Sequence, residues 1–295
     1  MQISTQTLNK PTATLSYPPE QPSEATSESS LAIPAMRSYS VCRWQAGAFD
    51  NIEDWVAEEV AVALEYNGVA HAVMMCSPQH LEDFALGFSV SECIVERSDE
   101  VYDIQIRVLS EGIQIAITIP QARFWVLKSH RRAMAGRTGC GLCGKESLAQ
   151  LANPLAPVPD GPVIAASAVQ HALTRLNTQQ PLFNQTGSVH AAAWCDTEGN
   201  LITVREDVGR HNALDKLIGN CLNLGLNLHA GILIMTSRAS YEIIQKAAAC
   251  GISLIVAMSG PTGLAVRLAE DLGVTLIGFA RNQRLSVYSH PKRIF

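Results

Sequence analysis

The stretch GILIMTSRASYEIIQKAAACGISLIVAMSGPTGLAVRLAEDLGVTLIGFAR, residues 231–281, decides the fold. Three apolar runs, 232–236, 252–258 and 274–279, alternate with two segments, 241–249 and 263–271, whose apolar residues recur at helical spacing. Short apolar runs of this kind read as strands covered on both faces, because neither side needs a polar surface. A strand, one helix and a further strand form a crossover unit. The expected class is therefore α/β, with a mostly parallel sheet.

Ligands of open α/β sheets sit beyond the carboxyl ends of the strands. Those ends are polar here: Ser237-Arg238 followed by Ser240, then Ser259-Gly260-Pro261-Thr262, then Arg281-Asn282-Gln283-Arg284. Ser240 and Thr262 are expected helix caps. Helix amino termini beside arginines form an anion site, and a phosphate-bearing ligand fits it. Ordinary capping with solvated arginines produces the same pattern at any single corner; three corners in one sheet strengthen the ligand reading.

Working outward, 189–195 and 201–204 read as neighbouring strands turned at Glu198-Gly199-Asn200. A helix is expected over 163–176, and another over 207–218 with Asp207 as its cap and Leu214, Leu217 and Ile218 inward. Residues 163–295 thus form a main domain. Two histidines stand out in it. His190 ends the segment Thr186-Gly187-Ser188-Val189-His190, and His211 lies in the dense polar run from Arg205 to Lys216. Either can bind a phosphate or base, or donate a proton; either also reads as a structural histidine.

Residues 39–126 read as a smaller, strand-rich α+β domain. The runs 60–64 and 69–75 flank Asn67-Gly68, a hairpin signal. Ser77-Pro78 predicts a helix start, with serine as cap and proline at the first helical position. Leu81, Phe84, Ala85 and Phe88 follow on one face, and Gly87 marks close packing. Alternation over 102–109 and 113–119, around Ser110-Glu111-Gly112, predicts a second hairpin. Residues 1–38, rich in Ser, Thr, Pro, Gln and Glu, read as a disordered leader.

Between the two domains, 127–162 reads as a mobile basic loop and a proline-rich linker. His130, Arg131, Arg132, Arg137 and Lys145 concentrate positive charge around Cys140-Gly141-Leu142-Cys143. Positive charge beside a thiol favours thiolate, and the glycines loosen the loop. Such a cysteine attacks a sulfur donor and presents the acquired sulfur, while a second cysteine resolves or relays it. A structural zinc site needs four ligands, and only this one close pair is present. A zinc deaminase is the other check. His80-Leu81-Glu82 supplies a formal His-x-Glu, but Gly139 stands where proline precedes the cysteine pair, so deaminase activity is not expected.

The bulk figures set the bounds. The chain has 295 residues, 47% hydrophobic and only 17% charged, with a formal net charge of −5. That balance argues against nucleic acid as the main partner. No run is long enough to span a bilayer, so no membrane association is expected. The first residues lack the basic and apolar regions of a secretory signal. Eight cysteines, six of them scattered at Cys42, Cys76, Cys93, Cys195, Cys221 and Cys250, suit a reducing, cytoplasmic home, with the scattered six as small core residues.

These motifs, in this order, resemble the formate dehydrogenase accessory sulfurtransferases, the FdhD family. The resemblance runs over about 40–295 and rests on Met74-Met75-Cys76-Ser77-Pro78, Glu82 to Phe88, Cys140-Gly141-Leu142-Cys143-Gly144, Gly187 to His190, Arg205 to Lys216, Ser237-Arg238, Ser259 to Ala265 and Gly278-Phe279-Ala280-Arg281. It implies a cytoplasmic sulfurtransferase required for active formate dehydrogenase. Such a protein takes persulfide sulfur from a cysteine desulfurase and passes it to the molybdenum bis-guanine-dinucleotide cofactor. The resemblance assigns the persulfide to Cys140, with Cys143 beside it, and cofactor binding to the segment Phe279, Ala280, Arg281, Asn282, Gln283 and Arg284. With His190, His211, Ser237, Arg238 and Ser259 these make the candidate site; no resident metal is expected. It also implies a cytidine deaminase-like three-layer main domain, with a mostly parallel or mixed sheet, and a homodimer. Gly260 and Gly263 depart from the family's pattern, which expects bulkier small residues there. The alternative is a non-catalytic cofactor chaperone, which would keep the strand-end arginines without needing Cys140.

Overall fold

The computed structural model describes residues 33–134, 155–281 and 283–295; the side chains of 130–134 are not among them. Residues 1–32 of the expected leader and the Cys140–Cys143 pair lie outside the described residues, whereas residues 36–38, read as the end of the leader, already belong to the first strand. The chain opens with a ribbon of two long antiparallel strands, β1 (Met36–Gln45) and β2 (Ala48–Ala57), turned at Ala46-Gly47. Sequence alone did not resolve this ribbon, because its polar and apolar residues do not sort onto a buried face.

Next comes a four-stranded sheet in the order β4-β3-β6-β5. Strands β3 (Val60–Tyr66) and β4 (Val69–Cys76) form the expected hairpin, and Asn67 and Gly68 both have positive φ, as that tight turn requires. The Asn67 amide clamps the turn to the sheet: Nδ2 donates to Ile119 O at 3.0 Å and Oδ1 accepts from Ile119 N at 2.9 Å. Strands β5 (Asp103–Leu109) and β6 (Gly112–Thr118) form the second hairpin, and β6 runs parallel to β3.

Helix α1 (Leu81–Ser91) covers this sheet with Leu81, Phe84, Ala85 and Phe88, as the spacing requires. It starts later than the Ser77-Pro78 signal predicts. Ser77 is drawn away from capping because it is fully buried in a network described below. The remaining faces of α1 are buried too, since a second layer lies behind it.

Helix α2 (Gln121–Met134) is a correction to the start of the 127–162 loop reading, since residues 127–134 are helical. Ala, Leu, Lys, Arg and Met are good helix formers, and no Gly or Pro interrupts them before Met134. The basic run therefore begins as the end of a helix.

The larger sheet has six strands in the order β12-β11-β10-β9-β7-β8. These are β7 (His190–Cys195), β8 (Leu201–Asp207), β9 (Ile232–Met235), β10 (Leu254–Ala257), β11 (Thr275–Arg281) and β12 (Arg284–Ser289). The crossover strands β9, β10 and β11 are parallel, whereas β7 and β8 enter as a hairpin with β7 antiparallel to β9, and β12 returns antiparallel to β11. The sheet is mixed.

One face of it packs on α3 (Ala166–Leu176), through Val169, Ala172 and Leu176 against Ala193, Ile234, Val256 and Ile277. A short helix, α4 (Pro181–Thr186), follows. The other face packs on α5 (Arg210–Asn223), α6 (Tyr241–Ala249) and α7 (Gly263–Asp271). The result is three layers, helix on sheet on helix.

Helix α1 then lies directly on α5. A Cβ added at Gly87 would stand 1.8 Å from Asp215 O, and one at Gly219 would stand 1.9 Å from Asp83 O. Two glycines, one on each helix, let the backbones touch and join the small sheet to the large one.

Candidate functional site

Strand direction gathers the site. Because β9, β10 and β11 are parallel and β8 runs antiparallel to β7, the carboxyl ends of β8 to β11 and the amino end of β7 share one edge. The amino termini of α5, α6 and α7 start from that same edge, immediately after β8, β9 and β10. The bridge between Ala239 and Pro261 and the hydrogen bond from Thr262 N to Ala239 O at 3.0 Å tie two of the corners together.

His190, the first residue of β7, pairs in register with Asp207, the last residue of β8. Its imidazole is half-buried, and its pKa is pushed below the ordinary value by burial first, then by Arg210, Arg238 and His211. Those three residues follow β8 and β9 at the same edge of the sheet. The Arg210 Nε is buried and has no hydrogen-bond partner among the described residues. A guanidinium nitrogen at a helix amino terminus is a donor suited to an anion.

His211 is held rather than free. Its Nε2 lies 2.7 Å from Glu242 Oε2 and 3.5 Å from Ser240 Oγ. This contact is the main cause that holds the Glu242 carboxyl below its ordinary range, despite the opposing cost of partial burial. Ser240 occupies the cap position of α6 but its side chain makes no cap bond, so that part of the capping expectation fails; Thr262 caps α7 as expected, accepting from Ala265 N at 3.3 Å.

Asp207 is also displaced from its expected role. It ends β8, and Gly209 takes the cap position of α5. Asp207 Oδ1 accepts from Gly209 N at 2.7 Å and Asn212 Nδ2 at 3.0 Å; Oδ2 accepts from Ser77 N at 2.9 Å and meets Lys216 Nζ at 2.6 Å. Lys216 Nζ also donates to Ser77 O at 2.8 Å. A buried carboxylate needs this many partners. The network fixes the start of α5, and with it Arg210 and His211, against the turn before α1.

The third corner is built on Phe279. It has φ 52, a left-handed conformation that is costly for an aromatic residue. Its N–H donates to Ser259 O at 3.2 Å, and Arg284 lies over its ring at 5.7 Å. A Cβ at Gly260 would fall 2.7 Å from the ring's Cζ. Glycine at 260 thus makes room for the Phe279 ring, which gives the departure noted at that position a physical reason. Gly263 has only Arg267 Nη1 near it, at 3.7 Å, and nothing in the structure explains the glycine there.

Of the sequence-predicted set, the shared edge brings together His190, His211, Ser237, Arg238, Ser259 and Phe279, with Arg281, Gln283 and Arg284 exposed at the β11–β12 turn. Ala280 is apart from them: its side chain is fully buried in the core against α3. Ser237 is nearly buried, and its hydroxyl donates to Arg238 O at 3.1 Å. Asn282, Cys140 and Cys143 lie outside the described residues. Arg210 was missed as a site residue. The signal available was its position one residue after a glycine, at the start of an apolar helical run.

The scattered cysteines divide in two. Burial pushes the thiols of Cys76 and Cys250 up, and those of Cys195 and Cys221 up to about 12, which disfavours thiolate. Cys42 and Cys93 are exposed, contrary to the core reading. Among the described residues no group of three or more His, Cys, Asp or Glu side chains is arranged to hold a metal ion, and no helix is long and apolar enough to cross a membrane.

Residues 57–295 match the model of the FdhD/NarQ family. The chain is 50% identical over 247 residues to the sulfur carrier protein FdhD of Variovorax paradoxus, covering 84% of this chain and 88% of that one. It is 49% identical over 261 residues to the protein of the same name from Cupriavidus necator, covering 88% and 91%. A crystal structure described as a formate dehydrogenase accessory protein, from Desulfotalea psychrophila, superposes with a TM-score of 0.70 at 24% identity, over 89% of this chain and all of that one. At that identity the structural match speaks for the fold.

Proposed function

The chain belongs to the FdhD/NarQ family, and from that membership we propose a division of labour in which Cys140 carries sulfur and the polar edge of the large sheet holds its acceptor. The protein is a sulfurtransferase that carries sulfur for formate dehydrogenase maturation. In the loading step the Cys140 thiolate attacks the outer sulfur of a cysteine desulfurase persulfide. The donor's S–S bond breaks, the desulfurase leaves as thiolate, and Cys140 keeps the transferred sulfur as a persulfide. Cys143 stands close enough in sequence to relay or protect it. The four charged residues Arg131, Arg132, Arg137 and Lys145 favour the thiolate electrostatically.

The acceptor is the molybdenum bis-guanine-dinucleotide cofactor, taken as cargo. The observation that carries this half of the reading is the unpaired, buried Arg210 Nε at the start of α5, with His190 beside it. A pyrophosphate supplies an acceptor for that nitrogen. Phe279, with Arg284 over its ring, offers a stacking face for guanine, and Arg281 and Arg238 add charge at the rim. The strand order β8-β7-β9-β10-β11, with its antiparallel first hairpin and its helices on both faces, is compatible with a cytidine deaminase-like domain that has lost the deaminase chemistry. We place the protein in the cytoplasm, as a homodimer.

Maturation of formate dehydrogenase in cells lacking the native protein separates this reading from a chaperone. A sulfurtransferase fails with either Cys140→Ala or Arg281→Ala. A cofactor chaperone fails with Arg281→Ala alone, and maturation rescued by Cys140→Ala would overturn the transfer reading.

A further inference from the structure

A cavity lies away from the candidate site, along the outer edge of the large sheet. It has a volume of about 670 Å³ and runs beside Leu201–Glu206 of β8, between the Gln79-His80 turn before α1 and the segment Arg175–Pro181 that leaves α3. Among the described residues, strand β8 ends the sheet order and pairs only with β7. In an antiparallel pair, alternate residues turn their N–H and C=O groups away from the partner. Such groups therefore face the cleft, one of them, the Val204 carbonyl, already taken by Arg205. Exposed strand edges are normally blunted by lysine, proline or a covering segment. The sequence Leu201-Ile202-Thr203-Val204-Arg205-Glu206 contains no lysine or proline, and among the described residues a cleft runs beside it. Its single arginine is turned aside: Arg205 Nε and Nη2 each lie 2.8 Å from Asp83 Oδ2, and Nη1 donates to the Val204 carbonyl at 2.9 Å.

The exposed charge at the cleft is positive. Glu206 is nearly buried, and its two oxygens accept from Leu182 N at 3.0 Å and Phe183 N at 2.8 Å, so both are engaged by the chain itself. Arg175 makes no ion pair among the described residues and is exposed at the cleft wall. Gln79 and Gln179 add exposed amide groups on opposite walls.

We propose that β8 is a docking edge for an extended acidic segment of a partner protein, which adds as a further strand and places a carboxylate against Arg175. Backbone hydrogen bonds to the β8 edge give affinity, and the carboxylate sets register and direction. The cleft is distinct from the cofactor edge, since it runs along the length of β8 rather than beyond its carboxyl end, so docking and sulfur transfer can proceed together.

The test uses the full chain and three fluorescent probes: a short peptide of alternating glutamate and valine, the same peptide N-methylated at alternate residues, and a lysine–valine counterpart. The first binds and slows hydrogen exchange at Leu201–Glu206. The other two bind roughly tenfold or more weakly, the scale of one lost charged contact, as does the first peptide with Arg175→Glu. Arg175→Glu is a surface change and leaves persulfide loading of Cys140 intact. Absence of binding, equal binding of the lysine peptide, or protection away from Leu201–Glu206 overturns the proposal. So does slow exchange of that edge in the peptide-free protein that disappears on dilution, because a second copy would then occupy it.

Discussion

Lys216 Nζ lies 2.6 Å from Asp207 Oδ2, and neither side chain reaches solvent. The pair also binds both backbone groups of Ser77, so it fastens the turn before α1 to the end of β8 and the start of α5. Breaking a buried pair by removing one partner strands a charge. Lys216→Met is therefore expected to cost about 3–5 kcal/mol of unfolding free energy. Urea denaturation measures it, and a loss within the range of ordinary surface substitutions would show that the pair does not hold the layers together.

The contact of α1 with α5 makes a second prediction. The Cβ of Gly219→Ala would meet the Asp83 backbone at 1.9 Å, where no side chain can yield. The helices must separate, which costs at least the ~1–3 kcal/mol typical of overpacking. Gly263→Ala, at the start of α7, has no positive φ and nothing nearer than Arg267 Nη1 at 3.7 Å, and serves as the control for the glycine-to-alanine change without close approach. If both variants unfold at the same urea concentration, close approach is not what Gly219 provides.

At the candidate site, Gly260→Ala pushes against the Phe279 ring, a side chain at the end of a strand. The fold survives and guanine nucleotide binding weakens. Arg281→Ala weakens it as well, while leaving the thermal midpoint near that of the parent. Titration calorimetry with GDP checks both; unchanged affinity in both variants would remove the β11–β12 turn from the binding site.

His190 has a folded-state pKa below its ordinary value. As pH falls through the ordinary histidine range, near 6.5, the unfolded chain takes up a proton that the folded imidazole resists, so stability drops on the acid side and is regained as pH rises. His190→Gln should lose less stability than the parent between neutral and mildly acidic pH. His80 shifts in the same direction, so the double variant His80→Gln/His190→Gln should lose less again. Parallel stability curves for parent and variants would contradict the shift.

Much of the large sheet could be read from the sequence, because buried strands and single crossover helices leave period and composition signals. Strand ends at 237, 259 and 281 pointed to one edge for the same reason. What could not be read depends on tertiary partners. Ser77-Pro78 carries a local helix-start signal, yet Ser77 is claimed by Asp207 and Lys216, which are far away in sequence. Asp207 likewise looks like a cap and serves as a buried hub. The β1–β2 ribbon escaped notice because its aromatic residues Trp44, Phe49 and Trp55 remain exposed, so no buried face imprints a period on it. Helix α2 was hidden by its charge, which suggests a loop although arginine and lysine favour helix.

The central claim is that Cys140 carries sulfur. Incubating the full chain with a cysteine desulfurase and cysteine, then locating the added sulfur by intact-protein and peptide mass measurement, tests it most directly. The account predicts a gain of one sulfur atom on the peptide that holds Cys140, absent in Cys140→Ala. A chain that gains no sulfur at Cys140 or Cys143, or that gains it equally at an exposed cysteine such as Cys42 or Cys93, would contradict it.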